Sequence, residues 1–528
     1  MDLIVSHPTG SGVVRDYLAN EGDAPGFYGR HFRDPQAFGS KAAEVDTRFD
    51  RAARERAAEA VIVPEGGDSK RLERFVEEGG YMVTTGQQPA LYGGPLYSLH
   101  KAFTAIRLAE ALEAELGKPV LPLFWVASDD HDWAEANHAD VVGVDNELHH
   151  FEVAAPDPDR SPPLHRIELG ADEGDVLEEF LQTLPNTDFS DEYIRLIRGA
   201  FGTGATLPTG FHALLQHLLG RFGLYFADAA HGAVKQHSAE LLLGELPRSG
   251  HLEDVLKKTA GQLEASGYHL QVPIMEGGVN LFLEGPGGRE RLYRDGDEFR
   301  LRTSGEVMSV DQIREAQAAD PAVLSPNVLL RPVAESAVFP TLAYVGGPGE
   351  MAYFAQLKGY FEAHDIEMPV VYPRWSATLV ETKIGKVLDK YGIEVEALQR
   401  PFHEVASDIA RDEVPDDVRA ALGKLRGAIG AGAGELQKAT KALDPTLKGP
   451  VGHLRSQAFA ALDDVEKKIM QAVKRESEIM LSQLEKAQLH LYPLGKPSER
   501  VQNPLYFLTR YGGVVLDKMY ERFAVNLD

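Results

Sequence analysis

Apolar positions follow two alternating rhythms up to about residue 375 and one helical rhythm beyond it. Residues 41–61 are alanine-rich and laced with charge, and residues 68–78 are similar, so both stretches predict surface helices. Tyr81 to Thr85 is a short strand that stops at Gly86. Past the next glycines, Leu99, Phe103, Ile106, Leu108, Leu112 and Leu116 recur near the helical period, and Gly117 ends the run. Residues 119–127 are almost continuously apolar, as a strand buried on both faces of a parallel sheet must be. Strand, glycine turn, helix and strand make a βαβ unit of the mononucleotide-binding type.

Residues 141–185 alternate and then break on prolines, which predicts a strand-rich insertion or edge region. Helical patterns return in 190–200 and 211–223, and a strand over 224–230 breaks into Asp228. Residues 271–301 alternate around paired glycines and read as antiparallel hairpins. Residues 341–346, 349–365 and 368–374 read as strand, helix, strand. The expected fold is α/β: a Rossmann-like parallel-sheet core over 1–375, with insertions around 141–185 and 265–310. From 376 to 490 the chain turns helical, with Val418, Leu422, Leu425 and Ile429 spaced by four, three and four. Five Gly and two Pro in 427–450 predict a break before a second long helix. That helix carries Val451, Leu454, Ala458, Leu462, Val465, Ile469, Val473 and Met480 on one stripe reaching Leu484, the pattern of an antiparallel coiled coil. Residues 491–528 are expected to fold back onto the core.

Composition narrows the function. The 528 residues are 43% hydrophobic, enough for large cores, and 54 Lys and Arg stand against 80 Asp and Glu. A net charge of -26 argues against a nucleic-acid partner. The chain has no Cys, which removes disulfides, thiolate metal sites and a cysteine nucleophile. Its opening lacks a basic stretch followed by an apolar run, and no long uninterrupted apolar segment occurs later. A cytoplasmic protein without membrane contact is expected.

Two predicted strand ends collect the candidate chemistry. The first runs from Thr84 to Lys101. Gly86, Gly93 and Gly94 permit close backbone approach, the helix start offers N–H groups to phosphate or carboxylate, and Gln87 and Gln88 can bind a neutral polar substrate. Neither the Walker phosphate loop nor the dinucleotide fingerprint occurs, and a tight turn around a buried His100 is the plainer account. The second strand end is Ser128, Asp129, Asp130, His131 and Asp132, running on to Asn137 and His138. Three aspartates within four residues repel one another unless cations, solvent or ligand amines offset the charge. If the segment enters a helix, His131 and Glu135 share a face, as do Glu135 and His138. Without a zincin motif or a cysteine, no protein-held metal is expected, and the competing account is a helix start capped by its acids.

Arg331, within residues 325–332, is a candidate bidentate clamp for a carboxylate or phosphate, with Glu350 and Tyr353 after a further glycine turn. A salt bridge beside a turn would explain the same residues. Lys496 and Arg500, in a proline-rich loop, can reach a nucleotide phosphate or cap a helix.

Four ordered segments, 84–102, 124–138, the pair 325–335 and 343–357, and 491–504, together resemble the bacillithiol biosynthesis cysteine-adding enzymes, a family of cysteine ligases. The resemblance implies a Rossmann-type core related to class I aminoacyl-tRNA synthetases and nucleotidylyltransferases, inserted connecting segments, and a coiled coil that forms a homodimer. It also implies amide formation between L-cysteine and glucosaminyl-malate, with ATP (or ADP) as the nucleotide and Mg²⁺ accompanying it. In the synthetase signature Pro-Leu is followed by two histidines; here Tyr97 takes the first position and His100 the second. That departure is usual in the cysteine-adding family. Lys383 and Lys386 come nearest to the synthetases' lysine-rich signature but read as an exposed helix face, and Asp129 stands where the family has glutamate.

By the same resemblance, His131 serves proton transfer or amine orientation and His100 stabilises phosphate or an oxyanion. Asp130 and Asp132 orient the amine or the cysteine ammonium. Gln87, Gln88, Tyr97, Asn137 and Arg331 bind substrate, and Gly86, Gly93, Gly94, Lys496 and Arg500 bind the nucleotide. Two other readings stay open: a ligase or transferase of the same fold for another amino sugar or amino acid, and a non-catalytic coiled-coil scaffold.

Overall fold

The structure, a computed structural model, describes residues 1–527 apart from 156, 158 and 171, with the side chains of residues 412 and 476 also left undescribed. Five parallel strands form the central sheet: β1 (Tyr81–Gln87), β2 (Val120–Val126), β3 (Tyr225–Asp228), β4 (Thr341–Gly346) and β5 (Val370–Pro373). Their order in space is β5-β4-β1-β2-β3, parallel throughout. The chain moves outward from β1 to one edge and, after β3, returns to the other side of β1. This is the doubly wound, Rossmann-like order, and its reversal between β1 and β4 opens a crevice at the carboxyl ends of the strands.

The alternation of β1 explains the layering. Tyr81 and Val83 enter a cluster with Val45, Leu108 and Val345, while Met82 enters another with Phe75, Trp125 and Phe339. Both faces are covered, so β2 has no solvated side and reads as an unbroken apolar run. Each large apolar side chain buried this way contributes about 1.5–3 kcal/mol. Helix α1 (Tyr97–Leu116) joins β1 to β2 and stops at Gly117, whose φ of 66° closes it.

Several elements depart from the sequence pattern. The helix expected over 41–61 is two, Ala37–Arg48 and Arg51–Glu59, because Asp50 accepts a hydrogen bond from the Ala53 N–H and starts a new helix. The 349–365 helix likewise divides into Pro348–Phe354 and Lys358–Ala363. The strand-rich reading of 141–185 holds only for a hairpin, His138–Val142 paired with Leu148–Glu152; Glu173–Thr183 is helix, and residues 156, 158 and 171 lie outside the described set. The hairpins expected at 271–301 form a five-stranded antiparallel sheet from Gly278–Gly285, Gly288–Asp295, Glu298–Leu301 and Val307–Met308, with Leu324–Pro326 on the far edge. Leu281 and Leu283 of this sheet share a core with Leu252 and Leu256 of the long helix Gly232–Ala265.

Residues 3–378 and 499–528 form one compact unit, and residues 1–2 and 379–498 another. In the second, helices Asp416–Leu443 and Lys448–Glu476 make a hairpin, with Arg426 bonded to Asp463 and Glu466 at 2.7 Å each. The break expected across 427–450 shrinks to residues 444–447. Gly427, Gly430, Gly432 and Gly434 stay helical although each costs about 1 kcal/mol relative to alanine, because packing against the second helix outweighs propensity. The stripe from Val451 to Leu484 is interrupted at Ser477. It is also divided in burial: Val451 and Leu462 are buried, whereas Leu454 and Val465 are 53% and 49% exposed.

Candidate active site

The end of β1 depends on glycine for packing. A Cβ on Gly86 would lie 2.7 Å from the Trp125 carbonyl oxygen of β2, its register partner. Tyr92, Gly93 and Gly94 then carry φ values of 52°, 91° and 62°, and a Cβ on Gly93 would meet Leu214 Cδ2 at 2.6 Å. The Asn503 side chain donates to the carbonyls of Tyr92 (3.0 Å) and Gly94 (3.3 Å). Leu96 N–H donates to the Gln502 carbonyl, Ser98 N–H to Pro95 and Leu99 N–H to Leu96. The N–H groups of Gly93, Gly94, Leu96, Ser98 and Leu99 are thus bonded within the protein, and Gly86 and Gly93 are needed for close packing.

Glu499 organises the buried side of that turn. Its carboxylate accepts from His100 Nδ1 (2.8 Å), from Arg374 Nη2 (2.6 Å) and Nη1 (3.1 Å), and from Ser376 Oγ (2.7 Å). Burial alone would raise the Glu499 carboxyl, but the His100 and Arg374 donors hold it far below the usual carboxylate range. His100 is fully buried, and burial lowers its pKa against the opposing pull of Glu499, leaving a neutral ring. With Nδ1–H committed to Glu499, Nε2 bears a lone pair, and among the described residues it has no partner. A lone pair cannot donate to phosphate or an oxyanion. In this arrangement His100 positions Glu499.

The next residue, Lys101, reaches from α1 across to the segment after β4. Its Nζ donates to the Gly86 carbonyl and lies 2.7 Å from Glu350. Glu350 also accepts from Tyr344 Oη and from the Gly347 N–H (2.9 Å). Arg331 closes the network, bonded to Glu335 (2.7 Å), Tyr353 Oη (2.8 Å) and Tyr344 Oη (3.2 Å). Only 16% of its side chain is exposed, and it forms an internal ion pair with Glu335.

The turn after β2 has a different character. Asp129 is buried against Lys235 at 3.1 Å. Asp130 Oδ1 accepts the N–H groups of His131 (2.7 Å) and Asp132 (3.3 Å), and Asp132 caps the short helix Trp133–Ala136 by accepting from the Glu135 N–H (3.1 Å). The helix begins after Asp132, so His131 lies outside it and the face expected to join His131 with Glu135 does not form. Asn137 is buried, donating to Glu152 (3.1 Å) and the Val153 carbonyl (2.8 Å), and so fastens the hairpin. Asp130 and His131 keep about a third of their side chains in solvent (34% and 31%), and Asp132 is exposed.

The two strand ends meet. Gln88 Nε2 donates to the Asp132 carbonyl at 3.0 Å, and Gln87 Nε2 donates to Tyr97 Oη at 3.0 Å. The Tyr97 ring has the guanidinium groups of Arg374 and Arg500 at 5.7 and 6.0 Å from its centroid. Burial pushes the Tyr97 phenol up to about 12, with Glu135 and Glu350 adding to the rise and the two arginines opposing it, so the hydroxyl stays protonated at neutral pH. Arg500 is exposed; Lys496 is exposed too, and belongs to the helical unit.

Sequence reasoning missed Arg289. Its Nη1 sits 3.0 Å from His131 Nδ1, its Nε donates to Ser325 Oγ (2.8 Å), its Nη2 donates to the Pro326 carbonyl (2.8 Å), and its guanidinium lies 4.1 Å over the Phe282 ring. Burial works to raise the Asp130 carboxyl, but the His131 backbone N–H and the Arg289 charge work against it, and the group is held at about 2. Nothing near Arg289 in sequence marks it, since it follows a glycine turn 158 positions from His131. Arg374 did leave a signal, as a single cation directly after the apolar strand β5. Among the described residues, the group with metal-holding spacing is Asp145, Glu147 and His149, at the tip of the 138–152 hairpin.

Residues 2–375 match the family model for the bacillithiol biosynthesis BshC N-terminal Rossmann-like domain, and residues 377–526 match the BshC C-terminal coiled-coil domain. The chain belongs to the BshC family. A relative in Salinibacter ruber named "Putative cysteine ligase BshC" is 32% identical over 463 residues, spanning 87% of this chain and 83% of the relative. Proteins of the same name in Solibacter usitatus and Geobacillus thermodenitrificans are 30% and 29% identical, covering 98% and 97% of this chain and 96% of each relative. The BshC coiled-coil model runs on to 526, whereas residues 499–528 pack with the sheet unit, because Glu499 and Asn503 bond to groups around β1 and β5. Among the described residues no helix is long and apolar enough to cross a membrane.

Proposed function

We propose that the chain is an ATP-linked cysteine ligase that joins the carboxyl group of L-cysteine to the amine of glucosaminyl-malate. The amine nitrogen attacks the activated cysteine carbonyl, a C–N bond forms, the bond to the activating group breaks with its electron pair, and the amine gives up one proton. Asp130 and Asp132 suit the approach of an ammonium group, since they are partly open and Asp130 stays ionised. Tyr97 offers a protonated hydroxyl, and Gln87 and Gln88 fix the geometry between the two strand ends. The exposed Arg500 guanidinium fits a nucleotide phosphate. ATP supplies the leaving group for the cysteine carboxylate, and Mg²⁺ accompanies the nucleotide.

What carries this reading is the bond from Gln88 to the Asp132 carbonyl, which brings the amide-bearing and carboxylate-bearing strand ends together in a BshC-family chain. Incubating purified protein with cysteine, glucosaminyl-malate and ATP, followed by mass spectrometry, is the test. Amide conjugate and a stoichiometric nucleotide product support the reading; ATP turnover with another amine and none with glucosaminyl-malate refutes it. The helical hairpin exposes Leu425, Leu436, Leu454 and Val465, which supports a homodimer through this unit. Sedimentation of a Leu454→Glu/Val465→Glu chain is expected to give a monomer, and an unchanged species would remove that interface.

A further inference from the structure

We infer that Arg289 is a positioning residue that fixes His131 in the tautomer with its proton on Nε2, so that His131 meets the substrate as a hydrogen-bond donor and not as a base. The catalytic consequence rests on the ligase reading; the tautomer itself is a property of the free protein.

The argument begins with donor inventory. A guanidinium has only N–H groups to offer, so at 3.0 Å the contact between Arg289 Nη1 and His131 Nδ1 requires a lone pair on Nδ1. A neutral imidazole with a bare Nδ1 carries its hydrogen on Nε2. Asp130 is the competing partner, with Oδ1 3.5 Å from the same nitrogen. That oxygen already accepts two backbone N–H groups, at 2.7 and 3.3 Å. A proton on Nδ1 would also have to share its space with the guanidinium N–H.

Arg289 cannot easily turn away. Ser325 Oγ and the Pro326 carbonyl hold its other nitrogens, Phe282 lies beneath its plane, and only 7% of its side chain is exposed. The His131 ring packs on the same Phe282, at 5.2 Å between centroids. One aromatic residue thus sets both planes, and the antiparallel sheet that supplies Phe282, Arg289 and Ser325 acts as a jig for the turn after β2.

The chemistry follows from the direction of the hydrogen. An Nε2–H suits an oxygen that gains negative charge, such as the attacked cysteine carbonyl, because a fixed donor there needs no reorganisation during the step. It cannot accept the amine proton, which leaves the exposed Asp132 carboxylate to receive it.

The test uses the full chain labelled with ¹⁵N-histidine, with the His131 resonances identified by comparison with His131→Gln. Wild-type protein is expected to show a pyrrole-like Nε2 and a pyridine-like Nδ1 at His131. Arg289→Met is expected to average the two nitrogens and lower kcat about 10-fold with KM values for both substrates nearly unchanged, and Arg289→Lys, which keeps a donor, to restore most of both. A wild-type His131 protonated on Nδ1 would overturn the inference without needing any variant, and so would a tautomer untouched by Arg289→Met. If the tautomer is as stated and no substrate pair yields a conjugate, the ligase reading fails while the role of Arg289 in fixing the ring stands.

Discussion

After β1 the chain enters a turn whose polar groups bond to one another and to residues 499–503; after β2 it enters a run of aspartates shared among neighbouring N–H groups, Arg289 and solvent. Both segments sit at carboxyl ends of adjacent strands, and both are rich in residues that can do chemistry. The difference lies in saturation. His100 and Arg331 have been claimed by Glu499 and Glu335, so they build the wall of the site, whereas Asp130, His131 and Asp132 keep capacity for a ligand. Residue type and strand-end position nominate a group; an unsatisfied, accessible valence is what qualifies it.

The sharpest way to break this contrast is Glu499→Ala. It would strip a buried arginine and histidine of their common acceptor, and thermal or urea unfolding is expected to show about 3–5 kcal/mol of lost stability. A loss under 1 kcal/mol would mean the β1 side is not held as described. Next, His131→Ala is expected to lower turnover about 100-fold while leaving the unfolding midpoint nearly unchanged, since the ring is partly open. Activity close to wild type would make both strand ends structural. Arg500→Ala should raise KM for ATP about 10-fold with kcat within a factor of about 2, as loss of a phosphate contact made equally in ground and transition states requires. A fall in kcat alone would move the nucleotide elsewhere.

The gentlest probe is pH. Because the Asp130 pKa is depressed in the folded state, its ionised form adds stability that is fully present above the unfolded carboxylate range of about 3.9 and is lost as pH falls through about 2. Urea unfolding of wild type and Asp130→Asn should therefore differ by a constant amount above about pH 5 and converge between about pH 4 and 2. A gap that widens on acidification would contradict the assigned charge.

Much of the sheet was legible. The unbroken apolar run of β2 and the Gly117 stop each encode a local constraint that survives in the fold, whereas β1 does not stop at Gly86 but pairs on to Gln87, because a glycine fits against the Trp125 backbone. What local pattern cannot express is competition. Gly427 to Gly434 should end a helix on propensity, yet a second helix alongside keeps it going; residues 141–185 read as a strand-rich insertion or edge region, yet among the described residues the named strands there are those of the first hairpin. The site was half legible for the same reason. Asp129, Asp130 and Asp132 announce themselves by mutual repulsion, which only a site or a cap relieves. The partners that decide which groups remain open, Arg289 for His131 and Glu499 for His100, lie 158 and 399 positions away and carry no local mark.

The clasp between His100 and Glu499 also has a temporal side. During synthesis from the amino terminus, every strand of the sheet has left the ribosome long before residue 499 appears, and His100 on α1 and Arg374 after β5 must wait with no acid to bind. The β1 turn can lock only when the final few dozen residues arrive. A nascent chain of this protein thus carries its whole sheet and its aspartate turn while the opposite wall of the crevice is still open, and translation has to be nearly over before the crevice takes its final form.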